Sequence, residues 1–399
     1  MVTNHHTDVL VVGGGPAGSS TAIRLARAGV SVMLVDQARF PREKACAEYC
    51  SPGVVDSLDE LGALPRIYNR DHRTLTGMQL VSGEHHLPLN FGNYRPAGNS
   101  ALGVKRSILD QELLELAADS GVDVHEGVRM TSPIMDGNRV AGAEIRQGPN
   151  SSTVSADIVV AADGLNSTLA RTLNLDRKQL WPRRLGLVAR FTNLPADVEY
   201  GQMHIGKGIY CGLTPVTETE VNVSLVVPLG TKTHDETTGE FFDRMIRTLP
   251  GIDNLLGDAV RISNVRGVGP LGKKVRKPSG PGYLLVGDAS GFFDPMTGEG
   301  VHRALTGGKI ASRAVQRALS RDDRRPIGYR RARSQSFQTK QRACEIIQMI
   351  VSTPPLLDYV LKRVPEREQV LTTLNGLLGD YEPARYAFRP QFLWNLLRP

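Results

Sequence analysis

Four apolar residues in a row, Val9-Leu-Val-Val12, follow Asp8 and predict a short strand buried on both faces. The period then lengthens: Ala22, Ile23, Leu25 and Ala26 give a helix one apolar face, and Gly29 stops it. A second buried run, Val30-Ser-Val-Met-Leu-Val-Asp36, ends on an acid. Two similar runs lie far down the chain, Ala156 to Asp163 and Gly282 to Asp288, and each also closes on an aspartate. Between them, Thr74 to Phe91 reads as two strands, Val122 to Met130 and Arg139 to Arg146 as one each, and Leu185 to Val227 as mostly strands. Helices are expected from Ser51-Pro52 to about Gly62, from a capping-box-like Ser107-Ile-Leu-Asp110 to Ser120, over Ser167 to Leu173, over Glu240 to Thr248, and after Gly300. From Arg321 the chain reads as helices broken at Pro354-Pro355, Pro365 and Pro383.

The turn between the first strand and helix carries the first chemistry. Gly13-x-Gly15-x-x-Gly18 allows a tight turn, a close backbone approach to a pyrophosphate, and contact between helix and sheet. With Asp36 placed to take a ribose hydroxyl, strand, turn, helix, strand and acid together predict a dinucleotide site. Buried strands ending in Asp163 and Asp288 change that reading, because an acid there needs a partner. Acids and glycines so far apart in sequence suit one long cofactor with two anchors, a flavin dinucleotide, and the turn at Gly298-Glu-Gly300 would aim a helix start at its ring.

The fold expected is α/β. A Rossmann-like parallel-sheet domain is built from residues 1–73, 101–177 and 267–320, a smaller, mostly antiparallel substrate domain from 74–100 and 178–266, and a helical region from 321–399. A hydrophobic content of 40% with 22% charged residues is ordinary for a globular protein. The net charge of +7 concentrates in 321–342, where eight Lys and Arg residues face only Asp322 and Asp323. With no nucleic-acid module beside it, that stretch reads as a solvated helix face or one meeting an anionic membrane surface. No basic stretch and apolar core open the chain, so the expected compartment is the cytoplasm, with possible membrane association. Cysteines 46, 50, 211 and 344 are expected as free thiols, and no His/Cys cluster has metal-ligand spacing.

Gly13 to Gly18, Asp163-Gly164, Gly287-Asp288 and Pro295-x-x-Gly298-x-Gly300 resemble the fingerprints of FAD-dependent class A monooxygenases. The span Phe40-Pro-Arg-x-Lys-x-Cys-x-Glu-x-x-Ser-Pro-Gly53 and Pro295 to Gly300 are also similar to the geranylgeranyl reductases. The tail, Gly379 to Arg385 and Arg389 to Arg398, looks like that of FAD monooxygenases associated with type III polyketide (phenolic-lipid) pathways. The resemblance implies that Asp36 holds the adenosine ribose and Asp288 the ribityl chain. It places Arg106 over the pyrophosphate or the ribityl chain and lets Asp163 support the cofactor domain and help place a nicotinamide donor. Pro16, Ala17, Gln37, Arg42, Lys44, Val128 and Glu299 complete the implied cofactor set, and Tyr210, Leu213 and Pro215 the substrate pocket.

The implied reaction is NAD(P)H- and O2-dependent hydroxylation of a lipophilic aromatic substrate through a flavin C4a-hydroperoxide, with the nicotinamide donor visiting because only one nucleotide fold is visible. The alternative is an ene reductase saturating isoprenoid double bonds. Tyr210-Cys-Gly-Leu-Thr-Pro215 lacks the tryptophan those reductases carry, and the flavin halogenases' Trp-x-Trp element is absent as well. A non-enzymatic prenyl-binding escort is a third reading, opposed by the intact glycines and Asp288. Cys46 and Glu48 are the candidates nearest the ring. Glu48 reads equally well as a loop carboxylate paired with Arg42 or Lys44, and Cys46 as a buried thiol, a redox partner of Cys50 or a flavin link.

Overall fold

The apolar run that opens the chain becomes the middle of a sheet. In the computed structural model, which describes residues 4–91, 100–178, 183–193, 199–232, 235–292, 296 and 298–397, strand Asn4–Val12 pairs in parallel with Val32–Asp36 on one side and Asn150–Ala161 on the other. Asp123–Glu126 and Tyr283–Leu285 extend the parallel order outward, so the three strands that end near Val12, Ala161 and Leu285 deliver their loops to one edge. That edge is where a ligand lies in an open α/β sheet. Arg129–Asp136 and Arg139–Gln147 add an antiparallel extension along Asn150–Ala161.

Helix Pro16–Ala26 packs against both this sheet and the long helix Gly300–Leu319. Ala22, Ile23 and Leu25 are fully buried, each large one contributing roughly 1.5–3 kcal/mol. The two helices touch because Gly308 has no side chain: a Cβ there would stand 2.8 Å from the Ser20 Oγ.

A second sheet is mostly antiparallel and follows the order Val260–Arg261, Arg184–Thr192, Glu220–Pro228, Tyr210–Pro215, Tyr200–Ile205, Gly77–Ser82, His85–Asn90. Tyr200–Ile205 and Gly77–Ser82 are its one parallel pair among the described residues. Strand Arg266–Leu271 pairs with Arg184–Thr192, so this sheet continues past residue 266. The C-terminal helices Tyr329–Val351, Pro354–Arg363, Glu368–Leu378 and Pro390–Leu397 pack on its outer strands through Leu87, Leu89, Leu357, Leu361 and Val370. No helix among the described residues is long and apolar enough to cross a membrane.

Helix Arg106–Asp119 differs from expectation at its start. Ser107 lies inside the helix and caps nothing; the Arg106 amide instead donates to a Glu48 carboxylate oxygen at 2.9 Å. A carboxylate from a distant loop has taken the place of the local hydroxyl.

Candidate active site

The glycine turn is shaped from within and open from without. Gly13 has φ +107, and a Cβ there would sit 2.5 Å from the Ala162 carbonyl, while one on Gly18 would meet the Gly13 carbonyl at 1.8 Å. Both positions therefore exclude any side chain. Gly15 is different: a Cβ would meet only the tips of Arg42 at 3.5 Å and Arg106 at 4.0 Å. The space over Gly15 is thus a cradle beneath two guanidinium groups at a helix start, which suits a pyrophosphate. Asp110 orients both cations. It accepts from Arg106 at 2.8 and 2.7 Å and from Arg42 at 3.0 Å, and its side chain is fully buried. Arg106 keeps its charge: burial pulls its pKa down, and Asp110 and Cys46 together more than offset that.

Asp36 ends its strand with one oxygen accepting the Gly14 amide at 2.7 Å and the other the Ala38 amide at 2.8 Å. It braces the turn, and a carboxylate retains lone pairs for a ribose hydroxyl. Gln37 beside it is exposed, and the Val128 amide donates to the Asp36 carbonyl at 2.8 Å, which seats Val128 against this end of the sheet. Asp163 accepts the Thr168 amide at 2.7 Å with one oxygen, and the other is buried without a partner among the described residues. Burial raises its pKa. An orphaned oxygen next to Gly164, at the cleft edge, fits a polar group supplied from outside.

Deeper in, one continuous cleft runs from Gly15, Pro16 and Ala17 past Lys44, Cys46 and Arg106 to Gly287, Asp288 and the turn at Gly298, Glu299 and Gly300. The antiparallel sheet roofs it with Leu187, Met203, Tyr210, Leu213 and Leu225. A Cβ on Gly300 would meet nothing within 4 Å, so the start of helix Gly300–Leu319 faces open space. Lys44 lies among Arg106, Asp288 and Asp110; burial, then Arg106, pushes its ammonium below the ordinary range while the acids oppose the shift. Cys46 lines the cleft, receives the Glu48 amide at 3.4 Å and lies within reach of the Arg106 guanidinium. All four cysteines are free, and Cys50 is packed among Val54, Leu102 and Leu113 in the core.

Three sequence expectations need correcting. Glu48 lines no part of this cleft: buried at φ +57, it is gripped by Arg190 at 3.1 and 2.7 Å and caps the Arg106 amide, so its pairing is with Arg190 rather than Arg42 or Lys44. Pro215 lies outside the cleft lining; its carbonyl packs against Gly103, where a Cβ would stand 1.7 Å away. Ser107 caps nothing, as described above. Pro295 lies outside the described residues. Sequence reasoning missed Asp110 and Arg190. The i,i+4 spacing of Arg106 and Asp110 could have found the first; nothing in the strand around Arg190 marks the second.

It also missed what lies behind the ring end. Cys344 donates to Glu299 at 2.8 Å, with Lys340 at 3.6 Å from the same oxygen. Lys340 also pairs with Asp380, whose other oxygen accepts from Ser51 at 2.5 Å. Past this ionic tie, a second cavity opens between the sheet and the C-terminal helices. Met78 and Met203 line both it and the cleft, and every residue of its wall is apolar, from Leu80 and Leu87 to Ile347, Phe388 and Leu396. Among the described residues no cluster could hold a metal ion.

A model of the FAD binding domain family matches residues 6–307. A digeranylgeranylglycerophospholipid reductase of Thermoplasma volcanium is 28% identical, over 92% of this chain and 93% of its own. A menaquinone reductase of Mycolicibacterium smegmatis is 29% identical, over 77% of this chain and 76% of its own. Among solved structures, a triple mutant of the flavin-dependent brominase Bmp2 superposes with a TM-score of 0.85 at 19% identity, over 97% of this chain and 99% of that one, a likeness of fold.

Proposed function

Because the chain belongs to the FAD binding domain family, we propose that it is a flavin-dependent reductase that adds hydrogen across carbon–carbon double bonds of a long-chain, isoprenoid-type lipid. The observation that carries this is the extent of the likeness: similarity to a reductase named for a geranylgeranylated lipid runs over 92% of the chain. The C-terminal helices wall the all-apolar cavity that joins the cleft at Met78 and Met203. A chain of methylene and methyl groups would gain about 25 cal/mol per Å2 buried there. This ordering reverses the sequence expectation, in which hydroxylation came first.

In this reading Gly15, Arg42 and Arg106 hold the pyrophosphate, Asp36 the ribose and Asp288 the ribityl chain. FAD, when bound, supplies the two-electron chemistry, and NAD(P)H serves as a transient donor. The roof from Leu187 to Leu225 keeps water from the ring. Hydroxylation of a lipophilic phenol, with O2 as co-substrate, remains the second reading. It is favoured by the missing tryptophan in Tyr210 to Pro215.

Mass spectrometry of a geranylgeranyl lipid incubated with the FAD-loaded protein and a reductant, without oxygen, tests the proposal. Gain of one H2 per double bond is expected. An unchanged lipid, together with oxygen uptake driven by NADPH and a long-chain resorcinol, would give the reaction to the second reading.

A further inference from the structure

We infer that the face formed by the last two helical turns docks on an anionic membrane surface, with Trp394 set into the interface directly over the apolar cavity. Helix Pro390–Leu397 has two characters. Phe392 and Leu396 turn inward as cavity wall, whereas Trp394 is 68% exposed. Met349, on helix Tyr329–Val351, which also contributes to that wall, is 58% exposed. An exposed indole beside a cavity for apolar chains is the arrangement of an interfacial anchor rather than of a packed helix, whose tryptophan would be covered.

The surrounding charge matches an anionic lipid surface. From Pro383 to the last residue the sequence holds Arg385, Arg389 and Arg398 and no acid. Residues 352–382 hold Asp358, Glu366, Glu368, Asp380 and Glu382 against Lys362, Arg363 and Arg367, so the basic excess of the C-terminal region lies in this last segment and in helix Tyr329–Val351, where Arg330, Arg331, Arg333, Lys340 and Arg342 face only Glu345. Arg385 and Arg389 lie 5.6 and 3.8 Å from the Tyr386 ring centroid, and Arg363 lies 5.5 Å from that of Tyr359. Amphipathic rings carrying guanidinium groups are a composition suited to the headgroup level of a bilayer. Phe388, between Tyr386 and Arg389, lines the cavity, so the route from the surface to the cavity is one side chain deep. The role as an entry route rests on the lipid-substrate reading; the docking does not.

Sedimentation of the full-length, FAD-loaded protein with vesicles of phosphatidylcholine, or of equal parts phosphatidylcholine and phosphatidylglycerol, tests the docking. Only the mixed vesicles should retain the protein, and added salt should release it. Arg385→Gln and Arg389→Gln should each weaken binding about fivefold, and Trp394→Ala should weaken it as well, with the flavin spectrum and melting temperature unchanged. In a Trp181→Phe background the remaining indole, Trp394, should shift its emission to the blue on the mixed vesicles. Equal retention on neutral vesicles, no retention on either, undiminished binding by the variants, or an unshifted emission would each overturn the inference. A protein that docks yet leaves isoprenoid lipids unreduced would count against the proposed reaction and not against the docking.

Discussion

Gly15 and Gly18 sit three residues apart and answer to different neighbours. Gly18 is required by the protein itself, since a methyl would collide with the Gly13 carbonyl. Gly15, at φ −74, has an ordinary backbone and room for a methyl as far as protein atoms are concerned. Gly15→Ala should therefore melt normally without flavin and yet lose FAD affinity about tenfold or more, read by flavin titration. Gly18→Ala should fail to accumulate as folded protein. His302 makes a different point. Burial, then Lys340, lowers its pKa to about 4 from 6.5. Between these values the unfolded chain binds the proton and the folded one does not, so acid favours unfolding. Stability should fall by about 2 kcal/mol between pH 7 and pH 5 through this residue, and His302→Gln should flatten that part of the melting-temperature profile.

The loop from Arg42 to Glu48 shows how an element far from regular structure is fixed. Arg190 reaches from the second sheet to Glu48 and Glu43, at 2.7 and 2.6 Å, while Glu48 caps helix Arg106–Asp119. Removing the cation strands a buried carboxylate, a loss of about 3–5 kcal/mol for a buried pair. Arg190→Ala should lower the melting temperature markedly, and Glu48→Gln less so because the amide oxygen still accepts from Arg106. The limits of the sequence are plain at this scale. Strand, glycine turn and helix over Val9 to Ala26 were legible because each residue there answers to its immediate neighbours, although the strand starts earlier, at Asn4, and so were the strands closing on Asp163 and Asp288. The role of Glu48 was not, because its partners, Arg190 and the Arg106 amide, come from other segments. Pro215 misled for a related reason: the resemblance placed it in the pocket, and in a strand buried along its whole length nothing in the sequence says which positions reach the cleft.

At the scale of the molecule, the C-terminal helices are joined to the flavin-binding part through a charged tie rather than apolar packing alone. Asp380 accepts from Ser51, pairs with Lys340 and comes within 4.0 Å of His302, and the Gly53 amide donates to the Gly379 carbonyl at 2.8 Å. Gly53 is closed to any side chain, since a Cβ would stand 2.5 Å from that of Asp380. Asp380→Ala leaves Lys340 buried beside Glu299 alone. Limited proteolysis should then cut the chain after residue 328 at rates the parent resists, while the flavin spectrum persists. The parallel order of the main sheet has its own consequence for biosynthesis. The strand made first, Asn4–Val12, is flanked by one made next and by another that ends at Ala161, and the outer strand Tyr283–Leu285 comes later still. While the ribosome is still at work, the growing polypeptide has half a binding site and an unpaired sheet edge that chaperones must shield. A complete seat for the vitamin-derived group thus exists only once the polypeptide has emerged past the turn at Gly300.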